Sequence, residues 1–271
     1  MSSLPITAAP ETALDIAREI LDRVARGCMI SYAQNFEDVI LARAFKNQEK
    51  GIYIDVGAYH PTRNSVTEHF YKSGWHGVNI DLDPVNMAQF DETRSRDTNL
   101  CLAVSCKEGS AIAYVHAGSS RSTLAKHMGD NYRARGVNIA EKDVETRCLS
   151  SLFADLKGQT VDFLKIDVEG AEADVINGND WRAQRPRVVV VEATYPETAI
   201  PNWDQWEDVL LSANYQFAYF DGLNRFYVRD EDSALLPAFE LPPNYFDNFV
   251  RADAVFMAQA LIKQSVAILD V

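Results

Sequence analysis

Three apolar runs of this chain stop at the dipeptide Ile-Asp, in "GIYIDVGAYHP" (51–61), "GVNIDLDP" (77–84) and "FLKIDVEGAE" (163–172), and a fourth, "RVVVVEAT" (187–194), stops at Glu192. The runs are apolar throughout rather than alternating. That is the pattern of strands covered on both faces, as in a parallel sheet between helix layers. Strands are predicted over 52–56, 77–81, 99–105, 111–117, 161–167 and 187–192, with a closing pair near 215–220 and 225–229. Between them, helical spacing and glycine stops predict helices over 35–45, 65–74, 85–95, 148–156, 171–178 and 203–213. A first helix over 11–26 carries Leu14, Ala17, Leu21 and Val24 on one face, with Gly27 at its C-cap. Strand–helix alternation of this kind defines a doubly wound α/β fold.

Two segments depart from the alternation. Residues 118–143 are polar, punctuated by Gly118, Gly129 and Gly136, and read as a long loop or lid. Residues 253–269 read as a terminal helix apolar enough to need a partner, either the domain's own edge or another subunit. The expected organisation is an N-terminal helical extension over 1–30, a Rossmann-like domain over 31–229 and a C-terminal helical extension over 230–271.

Charge narrows the partners. With 26 Lys+Arg against 39 Asp+Glu the net charge is −13, which repels phosphate backbones and argues against bulk nucleic-acid binding. No apolar run reaches the roughly 18 residues of a membrane span. The N-terminus lacks a basic start followed by an apolar core, so a secretory signal is not expected and the cytoplasm is. Cys28, Cys101, Cys106 and Cys148 form no CxxC and no zinc-like spacing, and are expected as reduced thiols.

In an open parallel sheet the ligand lies beyond the carboxyl ends of the strands, where the chain order reverses. Asp55, Asp81, Asp167 and Glu192 all belong to that rim. One strand-end aspartate is accounted for by capping the next helix. Four on one edge repel each other unless a ligand compensates them. A dinucleotide pyrophosphate calls for a glycine-rich turn, but "DVGAYHP" has the single Gly57, two residues after Asp55, whose charge opposes a pyrophosphate. That arrangement suits a ligand with a cationic end, such as the ammonium and sulfonium of S-adenosylmethionine. Gly57 lets the backbone come close to the ligand. Asp81, at the second strand's end, is placed to accept both ribose hydroxyls, while Asp83, before Pro84, shapes the turn.

Over roughly residues 31–229 the sequence resembles the FkbM family of S-adenosylmethionine-dependent methyltransferases. The stretches that carry the resemblance are "SYAQNFEDVIL" (31–41), "YIDVGAYHPTRNSVTEHFYKSGWHGVNIDLDP" (53–84), "AVS" (103–105), "ST" (122–123), "VETRCLSSLF" (144–153), "DFLKIDVEGAEADVINGNDW" (162–181) and "RPRVVVVE" (185–192). The tail "FDGLNRFYV…LPPNYFDNFV" is similar to members found with bacterial glycan gene sets. The resemblance implies a Rossmann-like class I methyltransferase fold, with a mostly parallel sheet and an antiparallel C-terminal strand pair. It also implies O-methylation, often of sugar hydroxyls, with cofactor contacts at Asp55, Gly57, Ala58 and Asp81. The full candidate cofactor set adds Tyr59, Leu82, Ala103 and Asp167. One departure is Asn35, where many members have glycine.

A sugar hydroxyl is a poor nucleophile and needs a base or a cation nearby. Glu169 is the first candidate base, Asp167 the second and His60 an alternative, although His60 precedes Pro61 and also fits a turn-shaping role. Glu172 either joins them or favours its helix's N-terminus. Lys165 is expected to pair with a carboxylate. No residue is assigned as a metal ligand; Mg²⁺ held by Asp167, Glu169 and Glu192 is an alternative to a simple base. Ser122 and Thr123 are candidates for substrate contact, and Tyr32, Trp75 and Trp203 for either stacking or packing. The function read from the sequence is O-methylation of a carbohydrate or glycosylated acceptor, with a homo-oligomer through the terminal helices as an option. The alternatives are a nicotinamide-dependent oxidoreductase and a non-catalytic partner subunit.

Overall fold

The computed structural model describes residues 12–269. The first residue of the helix expected over 11–26, and most of the segment read for a secretory signal, lie outside the described residues. The chain enters through α1 (Ala13–Ala25), whose N-cap Thr12 accepts from Asp15 N at 3.2 Å, and continues into β1 (Met29–Ser31) and α2 (Glu37–Ala44). The first Ile-Asp run is β2 (Ile52–Val56), followed by the short α3 (Glu68–Lys72). The second is β3 (His76–Asp81), followed by α4 (Pro84–Thr93) and β4 (Thr98–Cys101). An insertion then runs through β5 (Ala103–Val104), β6 (Gly109–Val115), α5 (Lys126–Ala134) and β7 (Ala140–Arg147). The alternation resumes with α6 (Leu149–Asp155), β8 (Phe163–Ile166), α7 (Glu172–Asn177), β9 (Val188–Glu192) and α8 (Glu207–Ser212). It closes with β10 (Tyr215–Phe220) and β11 (Asn224–Arg229), before β12 (Phe249–Arg251) and α9 (Ala252–Leu269).

The main sheet has seven strands in the order β10-β11-β9-β8-β2-β3-β4. Strands β4, β3, β2, β8 and β9 pair in parallel, and β11 runs antiparallel to both neighbours. This is the Rossmann-like arrangement expected from the sequence. The chain order reverses between β2 and β8, which puts the switch point between the first and third Ile-Asp strands. The apolar character of the strands follows from burial on both faces. Val189 and Val191 join Ile54, Val56, Leu164 and Ile166 in one core layer; Val188 and Val190 join Tyr53 and Phe163 in the other. At roughly 1.5–3 kcal/mol for each fully buried large apolar side chain, those two layers hold the strand ends in register.

Two expectations need correction. The run 99–105 is broken at Leu102: its first part is the edge strand β4, and its second crosses to a separate sheet in the order β5-β7-β6. The segment 118–143 is not a long loop. It contains α5, packed through Met128 and Tyr132 on Tyr114 and Ile139, and the start of β7, which pairs antiparallel with β6 from Val115↔Ala140 to Gly109↔Thr146.

The two ends of the chain meet. Strand β1 pairs in parallel with β12, Met29 opposite Phe249 and Ile30 opposite Val250. Helix α1 packs on α9 around Cys28, Val250 and Val255, so the terminal helix finds its apolar partner within the chain. Among the described residues no helix is long and apolar enough to cross a membrane.

Candidate active site

A cavity of about 470 Å³ opens at the carboxyl ends of β2, β3, β8 and β9. Gly57, Ala58, Tyr59, Asp81, Leu82 and Ala103 line one side, and Asp167, Glu169 and Glu192 line its acidic floor. The volume lies within the range of small-molecule sites. Gly57 holds φ +81°, and a Cβ there would lie 1.7 Å from the carbonyl oxygen of Asp167. Only glycine lets β2 turn this tightly beside β8.

Asp81 is built as an acceptor. Its Oδ2 takes the Tyr59 N–H at 3.0 Å, and its Oδ1 takes the Asp83 N–H at 2.8 Å and the Asn86 amide at 3.4 Å. Burial raises its pKa to about 6, against the backbone N–H groups that favour its charge. Asp83 caps α4 through Val85 N at 3.2 Å and also holds Gly118 N at 2.6 Å, so it ties the insertion to the sheet.

The floor has a different character. Lys165 Nζ donates to the Gly57 carbonyl at 2.8 Å and sits 3.3 Å from both Asp55 Oδ1 and Asp167 Oδ2. Burial works against its charge, but Asp167 and Asp55 outweigh burial and raise its pKa. The pairing expected for Lys165 is therefore a double one. Glu172 does not face the ligand: its Oε1 accepts from Val168 N at 3.1 Å and Gly170 N at 3.0 Å, bracing the "DVEGAE" turn. Glu169 holds a left-handed backbone, φ 58°, and its Oε2 accepts from the Tyr132 hydroxyl at 2.7 Å. Burial, with the charge of Asp167 next, pushes Glu169 up to about 8. Burial, reinforced by Asp167, Glu172 and Glu169, pushes Glu192 up to about 11, and its Oε2 has no hydrogen-bond partner.

Two candidates fall elsewhere. Asp55 does not line the cavity; it lies behind it, 1% exposed, beside Lys165. Asp55 stands opposite Lys165 in the β2–β8 pairing, and the lysine, which itself lines the cavity, lies between its carboxylate and the opening's acidic residues as an ion-pair partner at 3.3 Å. His60 is also absent from the lining. Its Nδ1 accepts from Thr62 N and Arg63 N, both at 3.0 Å, which makes it the brace of the turn at Pro61. Burial and then Arg63 lower its pKa. Of the residues considered for substrate contact, Ser122 lines the cavity, whereas Thr123 is buried and donates to the Glu169 carbonyl at 3.0 Å. Trp75 packs in the core against Phe45 and Phe70, and Trp203 packs edge-on against Phe220. Among the described residues, no three His, Cys, Asp or Glu side chains are grouped to hold a metal ion, so the Asp167, Glu169 and Glu192 alternative lacks a ligand set.

Sequence reasoning missed several residues. Glu37 lines the cavity, accepting from Asn35 N at 2.7 Å and the Asn224 amide at 2.8 Å, and burial with the Asp221 charge pushes it up to about 8. Asn35, the departure from glycine, donates its amide to the Asp221 carbonyl at 3.0 Å and so fixes this cover to the β10–β11 turn. At the mouth, Arg121 Nε bonds Glu197 Oε1 at 2.7 Å, and Arg135 pairs with the other oxygen of Glu197. Arg121, Glu37 and Tyr132 carry no strand-end signature. Glu37 opens α2, whose first five residues are all buried, so no polar–apolar pattern marks it as facing the cavity.

The cavity, the glycine cradle and the wired acceptor on β3 fit a nucleoside ligand with a cationic end. The sequence matches the family described as Methyltransferase FkbM domain over residues 55–217, more than half of the chain. No curated protein matches it. Solved structures that it resembles include a TehB-like S-adenosylmethionine-dependent methyltransferase from Corynebacterium glutamicum, at 10% identity and a TM-score of 0.40, covering 79% of this chain and 96% of that one. A putative caffeoyl-CoA O-methyltransferase from Staphylococcus aureus is similar at 9% identity and a TM-score of 0.41, covering 81% and 93%. The magnesium protoporphyrin IX methyltransferase of Synechocystis is similar at 8% identity and a TM-score of 0.39, covering 83% and 87%. By the family match, carried on the strands that build the cavity, the chain belongs to the FkbM family of S-adenosylmethionine-dependent methyltransferases.

Proposed function

We propose that the chain methylates a sugar hydroxyl of a glycan, polysaccharide or glycosylated metabolite. The observation that carries this reading is Glu169, a half-buried carboxyl on the cavity floor, held by Tyr132 and raised to about 8. An amine presents a lone pair unaided, whereas a hydroxyl must lose a proton as it attacks, and a base whose pKa lies near the working pH removes it best.

When bound, S-adenosylmethionine supplies a methyl group on a cationic sulfur. Asp81 keeps lone pairs beyond those used by Tyr59, Asp83 and Asn86, and these would accept from the ribose hydroxyls. Gly57 would admit the cofactor close to the backbone, and Leu82 and Ala103, which line the same side, would supply apolar surface to it. Lys165 holds Asp167 and the Gly57 carbonyl in one place, so the β2 and β8 turns move as a unit. Glu169 would accept the proton that the hydroxyl loses as it takes the methyl group, and the Tyr132 hydroxyl holds the carboxyl in place for this. Most of the rate comes from alignment of oxygen, carbon and sulfur on this rigid strand-end frame.

Calorimetry with S-adenosylhomocysteine and NAD, followed by transfer of labelled methyl to a panel of sugars, tests the reading. Binding of S-adenosylhomocysteine without NAD, and label in a sugar ether, is the expected result. Binding of NAD instead, or label confined to amines, defeats it.

A further inference from the structure

A second cavity of about 410 Å³ adjoins the first, and the two share Gln34, Tyr59 and Asn64 in their linings. It runs from the turn after β2 to the terminal pair β12 and α9, where Arg251 and Phe256 complete its far wall. The ridge between the cavities is unusual backbone. Tyr59 and Asn64 both hold left-handed φ, 54° and 53°, and Ala33 bridges Asn64 in parallel. Non-glycine residues in that region carry strain that surrounding structure must hold in place, and such residues cluster at binding sites. Here the Tyr59 N–H bond to Asp81 holds one end, and the Arg63 guanidinium lies 5.6 Å from the Tyr59 ring centroid.

The chemistry of the walls is specific. The Phe256 ring is 47% exposed in a chain whose large rings are mostly core, and Tyr59 offers a second face. The same lining carries planar polar groups: the amides of Gln34 and Asn64 and the guanidiniums of Arg63 and Arg251. Arg251 is already paired with Asp253 at 2.8 Å, so the groove does not concentrate cations as a polyphosphate site would. Aromatic rings and amide and guanidinium donors in one lining match a pyranose ring, which has an apolar C–H face and an edge of vicinal hydroxyls.

We propose that this second cavity is an acceptor subsite that holds the next ring of an extended carbohydrate while the first ring presents its hydroxyl to Glu169. The inference rests on the sugar-methylation reading above and deepens it. It assigns the C-terminal helix α9 a part in choosing acceptor length.

The test compares acceptors of two lengths, p-nitrophenyl hexosides and their disaccharide homologues, with wild type, Phe256→Ala and Arg251→Ala. Both side chains are exposed and outside the cofactor cavity, so the variants keep the fold. The wild type is expected to favour the disaccharide at least tenfold in kcat/KM. Each variant should abolish most of that preference through KM, leaving the monosaccharide rate and S-adenosylhomocysteine affinity unchanged. Equal kcat/KM at both lengths, or variants that slow both acceptors alike, overturns the subsite and leaves sugar methylation standing. Transfer to no sugar by a protein that binds S-adenosylhomocysteine defeats the sugar reading itself, and the subsite with it.

Discussion

The two sides of the cavity solve the problem of a buried carboxylate differently. On the β3 side, Asp81 receives two backbone N–H groups and an amide, so its charge is partly compensated before any ligand arrives and its pKa rises only to about 6. On the β8–β9 side, Asp167, Glu169 and Glu192 face the cavity beside Lys165, which also serves Asp55, and Glu192 Oε2 has no partner at all. The first side is finished as it stands, a rigid acceptor for neutral hydroxyls. The second is left short of positive charge, which is the condition that favours a cation and raises the proton affinity of a base.

The comparison breaks most directly at Glu169. Glu169→Gln keeps the size and the bond from Tyr132 but removes the proton acceptor, so turnover should fall by about 10²–10⁴-fold, the usual contribution of a general base. S-adenosylhomocysteine affinity should stay within a few-fold of wild type, and EDTA should leave the wild-type rate unchanged. Loss of activity on chelation, restored by Mg²⁺, would move the role to a metal. Next in size is Asp81→Ala. Losing a charge-assisted pair of hydrogen bonds of about 1.5–3 kcal/mol weakens S-adenosylhomocysteine binding roughly ten- to a hundredfold. Asp83→Ala should leave affinity closer to normal while lowering the melting temperature, because it removes the α4 cap and the tie to Gly118. If Asp83→Ala is the worse binder, the wired acceptor on β3 is not the ribose site.

The two sides also differ in how readable they were. Gly57, Asp81 and the acidic strand ends follow from one pattern, a fully apolar run that stops at a carboxylate, because burial on both faces fixes the run and the switch point fixes where it ends. The insertion left no such trace. Strand β7 reads "AEKDVETR", with most of its side chains exposed and no apolar alternation to announce it, and α5 carries Gly129 in the middle of a polar helix. Tyr132, which holds Glu169, therefore lay in a stretch that reads as loop. Asp55 shows a related limit: position at a strand end does not say whether a carboxylate faces a ligand or an ion-pair partner, and here it pairs with Lys165.

The undercompensated floor also sets a pH dependence. The carboxyls of Glu169 and Glu192 on the floor, and of Glu172 braced behind it, are raised to about 8, 11 and 7, each above the ordinary value of 4.5, so above pH 4.5 these groups bind more protons in the folded chain than in the unfolded one. Stability then falls as pH rises, the reverse of the usual salt-bridged carboxylate, with a slope of about 1 kcal/mol per pH unit for each group while it titrates. Melting temperature without ligand should drop from pH 6 to pH 8.5, and Glu192→Gln should flatten the drop. S-adenosylmethionine, being cationic, should recover more stability at pH 8.5 than at pH 6. A melting temperature that rises over this range would mean that the floor is compensated after all.

The smallest effect is expected at the mouth, where both sides are spanned by Glu197 between Arg121 and Arg135. These side chains are partly exposed, 27% for Glu197 and 43% and 56% for the arginines. Pairs of that kind contribute about 0.2–1 kcal/mol to stability, so Glu197→Ala should barely move the melting temperature. Their position matters more than their energy. Arg121 comes from the insertion, Glu197 from the loop after β9, and both line the cavity, so the pairs link its two rims. Glu197 adopts φ 58° to make them, a backbone state that the ion pairs help to hold. Breaking them should therefore shorten the residence time of S-adenosylhomocysteine by a few-fold, with little change in its association rate. About 0.5 M salt, which screens exposed charges, should bring the wild-type residence time toward that of the variant. A Glu197→Ala dissociation rate equal to wild type at low salt would show that the mouth opens without these pairs. Retention of the cofactor product would then rest on Asp81 and the acidic floor alone.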